Sequence, residues 1–401
     1  MARVKGVRVK FSTIVWCMFL VLFIYTVISF TTNPDHRAGP PNNGLYFPHK
    51  PKKVTAEPVP LNVIEDVDKE IRHVAFLKVH KTASSTAQNV FLRFGDARNL
   101  TFVLAHTKGE SGWLNVISYT NTLTTSNVVP PPRGRHFDLL CCHVIYNRRS
   151  FEAMLPKDTF YVGIVREPVS RFQSAVKYFS PRFILKIPGE NPLETYAKDP
   201  VKYEPIDPKT SFTNNRMALE FGFPMALFPG KSLNGSKFEI KKYLEKLDKE
   251  FNFIIISEMF EESMVMMKRI LNWGTKDILY VDKNVAQGKL NTRKLLPGSA
   301  KDSLQRFLYL DTALYDFAVK RFKRQVASEG DDFNDEVASF KTIQASVRQF
   351  CSKNNPVALT VKETKWNSDF TVAKTDCKLF FKHEKDLIQK QRLRMYGTLD
   401  N

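Results

Sequence analysis

Residues 76–86, "FLKVHKTASST", decide how this chain is read. They continue an apolar run, "HVAFLKV" over His73–Val79, of the kind needed by a strand covered on both faces. The run breaks at Thr82, Ala83, Ser84, Ser85 and Thr86, with Lys81 in the bend. The pattern then becomes helical: Ala87, Val90, Phe91 and Phe94 fall at i, i+3, i+4 and i+7. Gly95 reads as the helix stop, and Ser84, Ser85 and Thr86 as natural N-cap residues. A loop that ends at a helix N-terminus offers free backbone N–H groups and a favourable dipole to a phosphate. A Walker loop needs GxxxxGK[ST], yet no glycine stands between Phe76 and Phe94, so an ordinary NTPase loop is disfavoured. The plainer alternative is a serine-rich helix cap with a surface lysine.

Three further apolar runs read as strands: Phe137–Val144, Thr159–Val165 and Phe251–Ser257. Helical patterns lie between them, which predicts an α/β fold with a parallel sheet flanked by helices. Such sheets bind ligands at the carboxyl ends of their strands. The third run ends in "REPVSRFQSAVKYF", where Pro168 suits a first helical turn and Val169, Phe172, Val176 and Phe179 form an apolar face. Arg166 at the strand end, with Arg171 and Ser174 on the opposite face, makes a candidate phosphate clamp. A solvated helix face with incidental ion pairs is the alternative. The second run ends in "CCHVIYNRR", which places His143 beside the proposed anion site as a candidate general base.

Composition narrows the setting. The chain has 401 residues and a formal net charge of +19, which points to an anionic partner. Four basic residues and no acid precede Phe11–Phe30, an uncharged stretch of helical length about 30 Å, matching a hydrocarbon core. We expect residues 1–10 as a cytosolic tail and 11–30 as an uncleaved signal-anchor, because a cleaved signal has a shorter apolar region, about 7–15 residues. Residues 31–70 carry seven prolines and read as an extended stem, and 71–401 as a lumenal domain. Nucleic-acid binding is disfavoured there. Asn99 and Asn234 begin N-x-[ST] glycosylation triplets. Cys351 and Cys377 are able to close one disulfide loop in an oxidising lumen. No cysteine–histidine spacing suggests a metal.

At this point the residues resemble a family. A strand ending in KTASST, then RxPxxRxxS after another strand, is similar to the nucleotide-binding segments of sulfotransferases that use 3'-phosphoadenosine 5'-phosphosulfate (PAPS). The resemblance is closer to the membrane-bound galactose 3-O-sulfotransferases, through "FLKVHKTASST", "CCHV", "SFTNNRMALEFG", "SEMFEESMVMMK" and "LDTALYDF". It implies a P-loop-like fold of the PAPS-dependent sulfotransferase type and no metal. It implies that Lys81, Thr82, Ala83, Ser84, Ser85 and Thr86 bind the 5'-phosphosulfate, and that Arg166 and Ser174 bind the 3'-phosphate. Lys81 and His143 would be catalytic, and Cys351 and Cys377 resemble a cysteine pair of the family. The implied acceptor is a galactose-terminated glycolipid, such as galactosylceramide, or a glycoprotein glycan, and the implied place is the Golgi membrane. The rivals are another carbohydrate sulfotransferase such as a 2-O-uronyl type, a lumenal kinase or nucleotidase, and a non-catalytic Golgi glycan-binding protein. The C-terminal part after about Ala327 departs most from the family pattern, and "SEGDDFNDEV" reads as a flexible loop.

Overall fold

The four apolar runs pair as one parallel sheet. A computed structural model of the chain describes residues 69–106, 113–183, 186–281, 298–353 and 357–397. The expected tail, the span 11–30 and nearly all of the stem lie outside the described residues. Among the described residues, no helix is long and apolar enough to cross a membrane.

Strands β1 (Val74–Phe76), β2 (Leu139–Leu140), β3 (Phe160–Val165) and β4 (Phe253–Ile256) are ordered β2-β1-β3-β4. Val74 lies opposite both Leu139 and Phe160, and Val162 opposite Phe253. Every strand residue is buried, as continuous apolar runs demand when helices cover both faces. The chain passes from β1 outward to β2, then returns to the other side of β1 as β3. The connections leaving β1 and β3 therefore diverge, and a crevice opens between them at the carboxyl ends. That crevice lies next to Lys81 and Arg166.

Helix α1 (Ser84–Ala97) leaves β1, and α2 (Pro168–Phe183) leaves β3. The short α3 (Arg216–Glu220) belongs to the long connection toward β4, which α4 (Phe260–Leu271) follows. After a helix at Gly298–Phe307 come two long helices, α5 (Tyr309–Ser328) and α6 (Asp332–Ser352). An antiparallel hairpin, β5 (Ala358–Val361) with β6 (Phe370–Ala373), leads to α7 (Lys374–Phe381) and α8 (Glu384–Tyr396). Cys351 and Cys377 are joined as a disulfide, with Cα atoms 5.4 Å apart.

Three local readings are corrected. Gly95 does not stop α1, which runs to Ala97; a Cβ there would meet Leu139 and Phe102 at 2.4 Å, so the glycine serves close packing on β2. Residues 328–337 are not a flexible loop. They form a turn and the start of α6, where Glu329, Asp332 and Glu336 bind Arg269, and Glu336 is buried. Arg171 is no phosphate clamp: it is fully buried, its Nε lies 3.6 Å from Asp311, and it donates to the carbonyls of Phe212 and Thr213.

Candidate active site

The loop after β1 is an amide nest built without glycine. Lys81 and Ala83 both hold left-handed backbone, with φ of 64° and 62°. Ala83 is the N-cap of α1 and supplies no side-chain cap. Among the described residues, nothing accepts a hydrogen bond from the backbone N–H groups of Lys81, Thr82, Ala83, Ser84 or Ser85. Alternating left-handed residues turn successive N–H groups toward one concavity, and the helix dipole adds positive potential there. The strain of two non-glycine residues in this region costs about 1–2 kcal/mol each.

The hydroxyls are used differently from the expectation. Thr82 and Ser84 are buried, and both donate to the Val79 carbonyl, so they shape the loop and do not donate outward. Ser85 accepts from Lys78 Nζ at 3.2 Å. Thr86 is buried in the first turn. None of the three hydroxyl residues at 84–86 caps the helix, because its N-terminal amides face the concavity.

Lys81 is half-buried, and its Nζ lies 4.1 Å from the centre of the Tyr178 ring. Burial, reinforced by Arg166 and Lys78, lowers its ammonium to about 8. Arg166 reaches it from the end of β3 and donates to the Lys81 carbonyl at 3.2 Å. Ser174 stands one helical turn before Tyr178 on α2, so it shares the face that Tyr178 turns to Lys81. The structure thus brings Lys81 and Arg166 together at the nest, with Ser174 on the helix face that borders it.

Beside the nest lies a pair of imidazoles. His143 and His80 stack with ring centres 3.6 Å apart, and both are buried. His143 Nδ1 donates to the Lys78 carbonyl at 2.8 Å, which leaves Nε2 as the proton-accepting nitrogen. Burial, then His80 and Lys78, push His143 well below the ordinary histidine range, so it rests neutral. His80 Nδ1 is bound to Glu220, whose other oxygen accepts from the His80 backbone N–H at 2.8 Å. Burial also lowers His80, against the pull of Glu220. Burial pushes the Glu220 carboxyl up, but His80 and Arg216 outweigh it and hold it at about 2.

Sequence reasoning missed three of these groups. His80 stands within the quoted motif, and Glu220 within "SFTNNRMALEFG", but only the fold joins them. Lys78, 1% exposed, was the signal overlooked: a lysine inside an apolar run needs a buried partner. Its Nζ meets Glu384 of α8 at 3.1 Å, and Asn115 donates to the same carboxylate.

His80, His143 and Glu220 bring ligand-type atoms within 4.8 Å of one another. Both Nδ1 atoms and both Glu220 oxygens are already committed, and Lys78 and Arg216 bring positive charge to the group. The donor set suits proton transfer and anion binding better than a cation. An amide nest with a lysine and an arginine, facing a neutral imidazole held by its Nδ1, is the arrangement of a group-transfer site for an anionic donor.

Comparison with known proteins agrees with this geometry. The family model described as galactose-3-O-sulfotransferase matches residues 8–368. The chain belongs to the galactose-3-O-sulfotransferase family. It is 32% identical to mouse galactose-3-O-sulfotransferase 3 over 64% of this chain and 58% of that protein. It is 27% identical to mouse galactose-3-O-sulfotransferase 2, over 70% of each. Human galactosylceramide sulfotransferase is 26% identical over 70% of this chain and 64% of its own length. The match thus spans little more than half of the first of these relatives. The nest, Arg166, His143 and the His80–Glu220 pair all fall within the family match, whereas α7 and α8 lie beyond it. Asn99 and Asn234 are both exposed.

Proposed function

We propose that the chain is a PAPS-dependent sulfotransferase acting on the 3-hydroxyl of a terminal galactose of a glycolipid, such as galactosylceramide, or of a glycoprotein glycan. The observation that carries this reading is the meeting of an anion-binding nest with a buried, neutral, Nδ1-anchored imidazole. The free amides of residues 81–85 and the Lys81 ammonium fit a 5'-phosphosulfate, and Arg166 and Ser174 fit a 3'-phosphate. Bound there, PAPS supplies an activated sulfuryl group. His143 Nε2 accepts the proton of the sugar hydroxyl as its oxygen attacks. Lys81 and the amides hold positive charge where the phosphate oxygen departs. A second reading gives the proton to His80, because a carboxylate partner such as Glu220 stabilises an imidazolium once it forms. The two readings separate in Glu220→Gln: a shifted lower limb in the pH profile of kcat assigns the base to His80, an unmoved limb to His143.

We place the domain in the Golgi lumen behind a single signal-anchor at 11–30. The basic flank of that span, the exposed Asn99 and Asn234 triplets and the Cys351–Cys377 disulfide support this reading.

The test is incubation of the full-length chain in detergent with labelled PAPS and a panel of lipid- and protein-linked β-galactosides. Mass spectrometry then locates the sulfate. Sulfate on galactose O3 is the expected result; transfer to a uronic acid, to another hydroxyl or to nothing overturns it. Lys81→Ala should lose about 10²–10³ in kcat while its circular dichroism is unchanged.

A further inference from the structure

A second cluster lies at the opposite end of the sheet. His73 immediately precedes β1, His136 and Asp138 precede β2, and Asp158 precedes β3. His73 Nε2 lies 3.4 Å from Asp138 Oδ1, and His136 Nδ1 lies 3.1 Å from the same oxygen. All three atoms fall within 4.8 Å of one another. Four-coordinate zinc with bonds of about 2.0–2.1 Å separates its ligand atoms by roughly 3.3 Å, which the two spacings to Asp138 Oδ1 match.

The surrounding hydrogen bonds orient the three groups. His73 Nδ1 donates to Asp158 at 2.8 and 2.9 Å, which leaves Nε2 directed at Asp138. A carboxylate behind a histidine is the usual way that a metal ligand is held in its tautomer. The other oxygen of Asp138 accepts from the Thr101 backbone N–H at 2.6 Å, which fixes Oδ1 toward the two rings. The His73–Asp158 contact has hydrogen-bond directionality, whereas the two imidazole contacts to Asp138 are ion-pair contacts only; His136 Nδ1 also donates weakly to the Phe137 carbonyl at 3.4 Å, a bond that metal binding would replace. The rings meet edge-on with centres 5.1 Å apart. Asp138 is largely buried, and His136 is 64% exposed along its side chain, so solvent can complete the coordination.

We propose that His73, His136 and Asp138 form a structural site for a divalent transition metal, best suited to zinc, with Asp158 holding His73 in place. Two imidazoles and one carboxylate are borderline ligands that favour zinc over calcium or magnesium. The site clasps the amino ends of neighbouring strands. Val74 N–H already donates to the Asp138 carbonyl at 2.9 Å, and Phe160 N–H to the His73 carbonyl at 2.9 Å. It sits where the chain enters the described domain, on the side of the sheet away from the nest, so it acts on stability and not on the transfer step.

The test uses the full-length chain, stripped with chelator and titrated with zinc chloride by calorimetry, with bound metal counted by plasma mass spectrometry. His136→Gln is the informative variant because its side chain is exposed and tolerates change. The wild type should bind one more equivalent of zinc than this variant, and zinc should raise the thermal midpoint of the wild type only. Asp158→Asn should keep the site but weaken it by about 10–100-fold. Cobalt should give intense tetrahedral visible bands that His136→Gln lacks. Equal zinc stoichiometry in wild type and His136→Gln, or no zinc uptake by either, overturns the proposal. An unchanged rate of sulfuryl transfer to galactose is expected in the stripped wild type, and its failure on zinc removal alone would contradict the structural role without touching the assignment of the nest.

Discussion

Lys81 stands at the centre of two opposing demands. In the proposed reaction it must carry charge to hold an anionic donor, yet burial, Arg166 and Lys78 lower its ammonium to about 8. Above that pH the free site loses the proton that donor binding needs. Affinity for 3'-phosphoadenosine 5'-phosphate, measured by calorimetry, should therefore weaken by about tenfold per unit as pH rises past that value. Lys81→Arg should flatten the limb, because a guanidinium stays charged throughout. The neighbouring Ala83 presents a backbone problem. Its φ of 62° is costly for alanine and free for glycine. Ala83→Gly should leave donor affinity intact and stabilise the fold by up to about 1 kcal/mol in urea unfolding, while a β-branched residue there should destabilise it. The motif's small residues were legible in the sequence, but their division of labour was not. Thr82 and Ser84 turn their protons back to Val79, and only the fold reveals that these two hydroxyls are spent within the loop.

At the scale of elements, α1 and α8 act together. The N-terminus of α1 forms one wall of the amide nest, and α8 packs against the same helix. Through Glu384, α8 neutralises Lys78 beneath the loop. A buried charge stripped of its partner costs about 3–5 kcal/mol, although replacing both partners with apolar residues is often tolerated. Glu384→Gln should accordingly lower the unfolding free energy by a sizeable part of that amount and weaken donor binding. The double change Lys78→Met with Glu384→Leu should recover stability measured by thermal unfolding. Periodicity foretold α1 because its apolar face repeats along the chain. The role of α8 could not be foretold, since Lys78 and Glu384 are 306 residues apart. The same gap explains the misreading of residues 328–337: their acidic residues look solvated until Arg269 of α4 is brought to them.

At the scale of the whole molecule, the sheet order puts the crevice between β1 and β3 and so selects which loops meet. The disulfide holds the C-terminal part to this frame by joining the end of α6 to α7, just ahead of Glu384. Replacing Cys351 and Cys377 with serine should cost about 2–4 kcal/mol by the loop-entropy argument. A thermal melt should show the loss, and reductant should reproduce it in the wild type but not in the variant. Donor affinity should fall with it if α8 loosens from Lys78.

The sequence by itself determined the four buried strands, the strand-to-helix loop with Lys81 in its bend, Arg166 at the end of the neighbouring strand, and the cysteine pair. All are short-range patterns of polarity, spacing or residue type. Tertiary structure alone decided that His80 pairs with Glu220, that Arg171 belongs to the core with Asp311, and that His73, His136 and Asp138 converge. Each of those outcomes depends on partners that are distant along the chain. Burial makes a polar group find a partner, but which one it finds is set by the path of the backbone.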